Sequence, residues 1–124
     1  MAAKVSITPC PDHLRVTVEG DVESVGEVTG YTEDFRVQAT RLGLRRVLID
    51  YTKARFHLDY HDMRELAEIG VQNDFPLYGL RIAVVCLPES LDRHRLFETI
   101  AANRSISYRV FSDEDEAMAR LLEP

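Results

Sequence analysis

Two short runs, residues 4–8 (KVSIT) and 14–20 (LRVTVEG), alternate apolar and polar side chains, the period-two pattern of half-buried strands. Between them Pro9, Pro11, Asp12 and His13 interrupt pairing and favour a turn, so the pattern predicts a β-hairpin with Leu14, Val16 and Val18 on its core face. Gly20 ends the second strand. Gly26 and Gly30 disfavour a helix over residues 21–30, whereas from Thr29 onward Tyr31, Phe35, Ala39 and Leu42 recur at helical spacing, with Gly43 as the stop.

The central strand, Arg46 to Tyr51, carries three consecutive apolar residues, Val47, Leu48 and Ile49. A run without alternation implies burial on both faces, as in an interior parallel strand between helical layers. A polar turn follows, crowded with Lys53, Arg55 and His57, and a helix starts near Asp59 to Asp62. Its inward stripe is Met63, Leu66, Ala67 and Gly70, and either Asp59 or an Asp62–Glu65 capping box begins it. Asn73 to Gly79 is a loop. The most apolar strand spans Leu80 to Leu87, where Pro88 stops it. Ser90 or Asp92 caps a helix with Leu96, Phe97, Ile100 and Ala101 inward. Tyr108, Val110 and Phe111 mark a last strand. Ser112 caps a helix bound back by Ala117, Met118, Leu121 and Leu122, its first turn holding four carboxylates from Asp113 to Glu116.

The resulting order, β-β-α-β-α-β-α-β-α, predicts one α/β domain over 1–124 with a mixed, mostly parallel sheet of about five strands, antiparallel only at the hairpin. The composition, 45% hydrophobic and 29% charged, is that of an ordinary globular protein. A net charge of −6 argues against indiscriminate binding to nucleic acid or anionic membranes. Cys10 and Cys86 belong to no metal or redox spacing; they leave a disulfide open but fit a reduced, intracellular protein. The first nine residues lack the apolar core of a signal peptide, and the longest apolar run, Ile82 to Leu87, is too short to span a bilayer. The expected location is cytoplasmic, with no membrane insertion.

Taken together, VTVEGDV, RRVLIDYTKARFHLDYHDM, LRIAVVCLP and YRVFSDEDEAMARL resemble successive segments of the STAS domain, the fold of the bacterial anti-sigma factor antagonists. The resemblance covers nearly the whole chain and implies a STAS-like fold with a regulatory, protein-binding role. It departs at the family's Asp-Ser-Ser-Gly-Leu segment, which here is Asp59, Tyr60, His61, Asp62 and Met63. Only Asp59 matches. The serine that a partner kinase phosphorylates in the antagonists is replaced by His61, so the fold carries over without the phospho-switch. Asp59 and Asp62 would instead supply negative charge permanently.

The candidate contact residues are therefore Asp50, Lys53, Arg55, His57, Asp59, Tyr60, His61 and Asp62, on the rim where strand ends meet helix starts. The bland reading is that Asp59 and Asp62 merely cap a helix while the histidines stay solvated. As ligands, His57, Asp59, His61 and Asp62 suit zinc-like ions, but a turn seldom aims four such groups inward, and no distant cluster completes the set. GxSxG, GxxxxGK[ST] and GxGxxG are all missing, and the acidic pair and lysine of a phospho-receiver are not in place, so neither an enzyme nor a cofactor is expected. The expected function is binding of a partner protein through 53–68, whose helix displays Arg64, Glu65 and Glu68. The alternative is a small-molecule or lipid module using the crevice at the carboxyl ends of the strands, lined by Phe35, Phe56, Phe75, Tyr78 and Phe97. A homodimer is left open.

Overall fold

In the computed structural model, which describes residues 3–124, nine main elements follow the expected order. They are β1 (Lys4–Pro9), β2 (Leu14–Val22), α1 (Val25–Leu42), β3 (Arg46–Phe56), α2 (Tyr60–Gln72), β4 (Arg81–Val85), α3 (Leu91–Ala102), β5 (Ser107–Phe111) and α4 (Glu114–Leu121), with short 3-10 turns at Phe75–Tyr78 and Pro88–Ser90. The strands form one sheet in the order β1-β2-β3-β4-β5. β1 pairs antiparallel with β2, and every later pair is parallel.

β3 is buried on both faces, as its apolar run implies. On one side Val47, Ile49 and Tyr51 join Val16 and Val18 of β2, Tyr31, Phe35 and Ala39 of α1, and Ala101 of α3. On the other, Leu48 meets Ala83 and Val85 of β4 and Ala117 and Leu121 of α4. Three helices thus cover one face and α4 alone covers part of the other. Arg15 ties that second layer down, reaching Asp50 Oδ2 at 3.1 Å and Glu114 Oε1 at 2.9 Å.

Several boundaries differ from those predicted, each for a local reason. α1 begins at Val25, four residues before Thr29, because the Ser24 hydroxyl accepts from the Glu27 amide at 3.2 Å and the Glu27 carboxylate accepts from the Glu23 amide at 3.0 Å. Gly26 and Gly30 sit on its exposed side, so their cost is a helix-propensity cost only. Leu42, Leu96 and Leu122 are exposed instead of inward; His94 takes the inward place in α3. β4 is shorter than Leu80 to Leu87. Asp113, not Ser112, caps α4, accepting from the Asp115 and Glu116 amides.

The largest difference concerns the segment expected as a polar turn: Thr52 to Phe56 is strand. β2 likewise runs past Gly20 to Val22 and pairs with it, Asp21 opposite Arg55 and Val22 opposite Phe56. Between Thr17 and Glu19 the register slips: two steps along β2 match three along β3, from Asp50 to Lys53. This β-bulge places one extra residue in β3 and exchanges its faces. Beyond it Ala54 and Phe56 pack on the three-helix side, while Lys53 and Arg55 stand exposed on the other.

Leu48 is fully buried between β3 and α4. Leu48→Ala should lower unfolding free energy in urea melts by about 2–5 kcal/mol. A loss under about 1 kcal/mol would mean that α4 does not seal this face.

Candidate functional site

The eight predicted contact residues divide into two groups on opposite sides of the strand end. Asp50 is half-buried beside α4. Its carboxylate accepts from Arg15, from the Thr52 amide at 2.9 Å and from the Thr52 hydroxyl at 2.6 Å, so it is spent on structure. Lys53, Arg55 and His57 line the open sheet margin against β2: Lys53 Nζ lies 3.9 Å from Glu19, and Asp21 takes Arg55 Nε at 3.4 Å and His57 Nε2 at 3.0 Å. The His57 hydrogen bond, aided by the Arg55 charge, holds the Asp21 carboxyl below its ordinary value.

The second group begins α2. Asp59 and Asp62 form a reciprocal capping box, Asp59 Oδ1 accepting from the Asp62 amide at 2.8 Å and Asp62 Oδ2 from the Asp59 amide at 3.0 Å. Of the two expected starts of the helix, the one at Asp59 is realised, and Asp62 rather than Glu65 completes its capping box. Backbone donation from Asp62 keeps the Asp59 carboxyl below the ordinary aspartate range. Tyr60 and His61 project into solvent. Among the described residues, no three His, Cys, Asp or Glu side chains gather as a metal ion would require. The H-x-D-x-H-D spacing fails to do so because strand pairing turns His57 toward Asp21 while capping turns Asp59 and Asp62 onto the backbone.

A different feature lies on the three-helix side. α2 rests mainly on α1, α3 and the 3-10 turn after it, instead of lying flat on the sheet. Met63 and Ala67 bind it to Ile100 and Phe97 of α3. Beneath it is a cavity of about 620 Å³ that is partly open to solvent. Its roof is Leu66, Ile69 and Gly70, and its floor includes Ile49, Tyr51, Ile82 and Tyr108 of the sheet. All five aromatic residues of the alternative reading, Phe35, Phe56, Phe75, Tyr78 and Phe97, line it. None of the eight rim candidates does. The space is thus under α2 along the covered face, not at the strand-end crevice where it was expected.

Its walls are apolar with a few inward polar groups. The Tyr31 and Tyr51 hydroxyls share a hydrogen bond of 2.6 Å in the interior, where burial raises the pKa of both phenols. His94 stacks on Tyr51, with ring centroids 5.2 Å apart and planes 18° from parallel, and meets Phe56 edge-on at 4.9 Å. Tyr108 packs edge-on against Phe97 at 4.9 Å. Charge is confined to the margin: Arg36 pairs with Glu33 and lies 4.3 Å over the Tyr78 ring, and Arg93 donates to the Leu58 carbonyl at 2.6 Å.

Sequence reasoning missed His94, Tyr51 and Tyr108 as lining groups. His94 stands between two arginines and so looks solvated. The available signal was its spacing: His94, Phe97 and Ala101 share one helical stripe.

No family model matches the chain, and no curated protein matches it in sequence. Several solved structures are similar in shape, two of them as follows. One is an uncharacterised protein of the DUF3478 family with a SpoIIAA-like fold from Shewanella loihica PV-4, 16% identical, with a TM-score of 0.56 over 96% of this chain and 93% of that one. The other is the anti-sigma factor antagonist SpoIIAA in its unphosphorylated form, 12% identical, with a TM-score of 0.56 over 96% of each chain. The fold is STAS-like.

Burial, with a smaller contribution from the Arg93 charge, lowers the His94 imidazole from an ordinary 6.5 to about 4. Between those values the unfolded chain takes up a proton that the native state refuses, so this stability is whole above pH 6.5 and drains as pH falls. From pH 7 to pH 5 the loss should be roughly 2 kcal/mol in urea unfolding, and His94→Phe should remove that slope. Parallel pH profiles for the two proteins would refute it.

Proposed function

We propose that this domain is a binding module, carrying out no reaction, that holds a small, mostly apolar molecule between α2 and the sheet. One observation carries this reading: the 620 Å³ of space under α2. Ligand pockets are clefts or cavities of about 300–1,000 Å³, a range that includes this one. The lining supports it. Aromatic and aliphatic side chains surround a small set of polar atoms, the composition of a small-molecule site. Both cysteines are free, Cys86 buried and Cys10 half-buried, which suits a reducing compartment and supports a cytoplasmic location. No helix among the described residues is long and apolar enough to cross a membrane.

The environment-sensitive dye Nile red should bind the wild-type protein with a blue-shifted, enhanced emission that saturates at one equivalent. Leu66→Trp fills the roof and should abolish the signal while the circular dichroism spectrum stays native. Full Nile red binding by a folded Leu66→Trp protein would place the dye elsewhere and remove the basis of this reading.

A second reading has its own support. The start of α2 exposes Tyr60, which is 52% accessible, beside His61, Arg64, Glu65 and Glu68, a polar surface with an aromatic anchor. The likeness to an anti-sigma factor antagonist favours a partner protein there. The two readings are compatible, because the helix bearing this surface is also the roof of the cavity. Immobilised wild-type protein should retain a partner from host lysate that the Asp59→Arg/Asp62→Arg variant loses. That variant should lose only the cap, about 0.5–2 kcal/mol. Equal retention by both proteins would rule out the capping turn as the contact.

A further inference from the structure

We propose that the molecule held under α2 is uncharged and carries one neutral polar group, a hydroxyl, carbonyl or amide, hydrogen-bonded to His94 and Tyr108. This rests on the cavity being a ligand site and names the class of ligand it takes.

His94 and Tyr108 are 6% and 9% exposed, and both line the cavity. Neither side chain hydrogen-bonds to another described residue. Such groups are costly when sealed away from partners. They are not sealed, however: among the described residues the one enclosed side-chain polar atom without a partner is Arg120 Nε. The ring nitrogens of His94 and the Tyr108 hydroxyl therefore keep open surface, and the space that their side chains border is the cavity. The neighbouring Tyr31–Tyr51 pair has two protons and one hydrogen bond between them, leaving a further proton unspent beside the same floor.

The polar groups of the floor match a neutral head group. A neutral imidazole offers one donor and one acceptor, and a phenol can do either, which matches a hydroxyl, carbonyl or amide. The two cations of the lining stand at its margin and not on its floor, Arg36 paired with Glu33 and over the Tyr78 ring, Arg93 donating to the Leu58 carbonyl. A carboxylate or phosphate beside Tyr108 would find no cation among the floor residues Ile49, Tyr51, Ile82 and Tyr108.

Isothermal titration calorimetry at pH 7.5 with 1-decanol and with decanoate separates the two head groups on one hydrocarbon chain. The wild-type protein should bind 1-decanol at least about 10-fold more tightly than decanoate. Tyr108→Phe and His94→Phe preserve ring packing and should each weaken 1-decanol about 3- to 10-fold, the value of one hydrogen bond, with a native circular dichroism spectrum. Decanoate binding as tightly as 1-decanol, or both variants binding 1-decanol like the wild type, would overturn the assignment of head group while leaving the cavity as a site. Failure of Nile red and 1-decanol alike to bind would overturn both.

Discussion

β3 must satisfy two hydrophobic layers at once and then change which layer it serves. For its first half the requirement is met by unbroken apolar sequence: Val47, Ile49 and Tyr51 face the three helices, and Leu48 faces α4. The extra residue opposite Val18 ends that arrangement. Without it Phe56 would point away from α1–α3, and Lys53 would point into the core. With it, Phe56 sits against Tyr51 at 4.7 Å and against His94, and the basic residues join Glu19 and Asp21 outside. The wall of the cavity and the polarity of the opposite margin thus follow from one inserted position.

That position also marks where the sequence stopped being informative. Strand runs such as Leu14–Val18 and Val47–Ile49 declare themselves because burial selects apolar side chains at fixed spacing, and the order of elements follows from them. Residues 51–57 do not. Tyr51 and Phe56 share a face although they are five apart, a separation that fits neither strand nor helix, so the stretch looked like a turn. The start of α1 was hidden for a different reason. Two exposed glycines read as helix breakers, yet the Ser24 cap and the burial of Tyr31, Phe35 and Ala39 outweigh a propensity cost of about 1 kcal/mol each.

The candidate site divided along the same line. Sequence placed Asp50, Lys53, Arg55, His57, Asp59, Tyr60, His61 and Asp62 together because they are adjacent in the chain. The fold separates them: Asp50 is consumed by Arg15 and Thr52, the basic trio pairs across to β2, and Asp59 and Asp62 spend their carboxylates on backbone amides. The five aromatics named for an apolar pocket, by contrast, come from four separate regions of the chain and meet around one volume. Their convergence depends on how high α2 stands above the strands, which no local pattern encodes. Two groups can lie close in sequence and serve unrelated ends, and distant ones can share a wall.

The manner in which α2 is supported has an evolutionary corollary. Of its anchors against Ile100, Ala67 takes no part in the cavity lining, Met63 serves both ends, and Leu66, Ile69 and Gly70 face the open space. The opposite face of the sheet draws its stability from a separate cluster, Leu48, Ala83 and Val85 against Ala117 and Leu121. Substitutions on the underside of the helix can therefore enlarge or shrink the chamber without putting the scaffold at risk. In such an architecture, selectivity is free to diverge between lineages faster than the backbone that houses it.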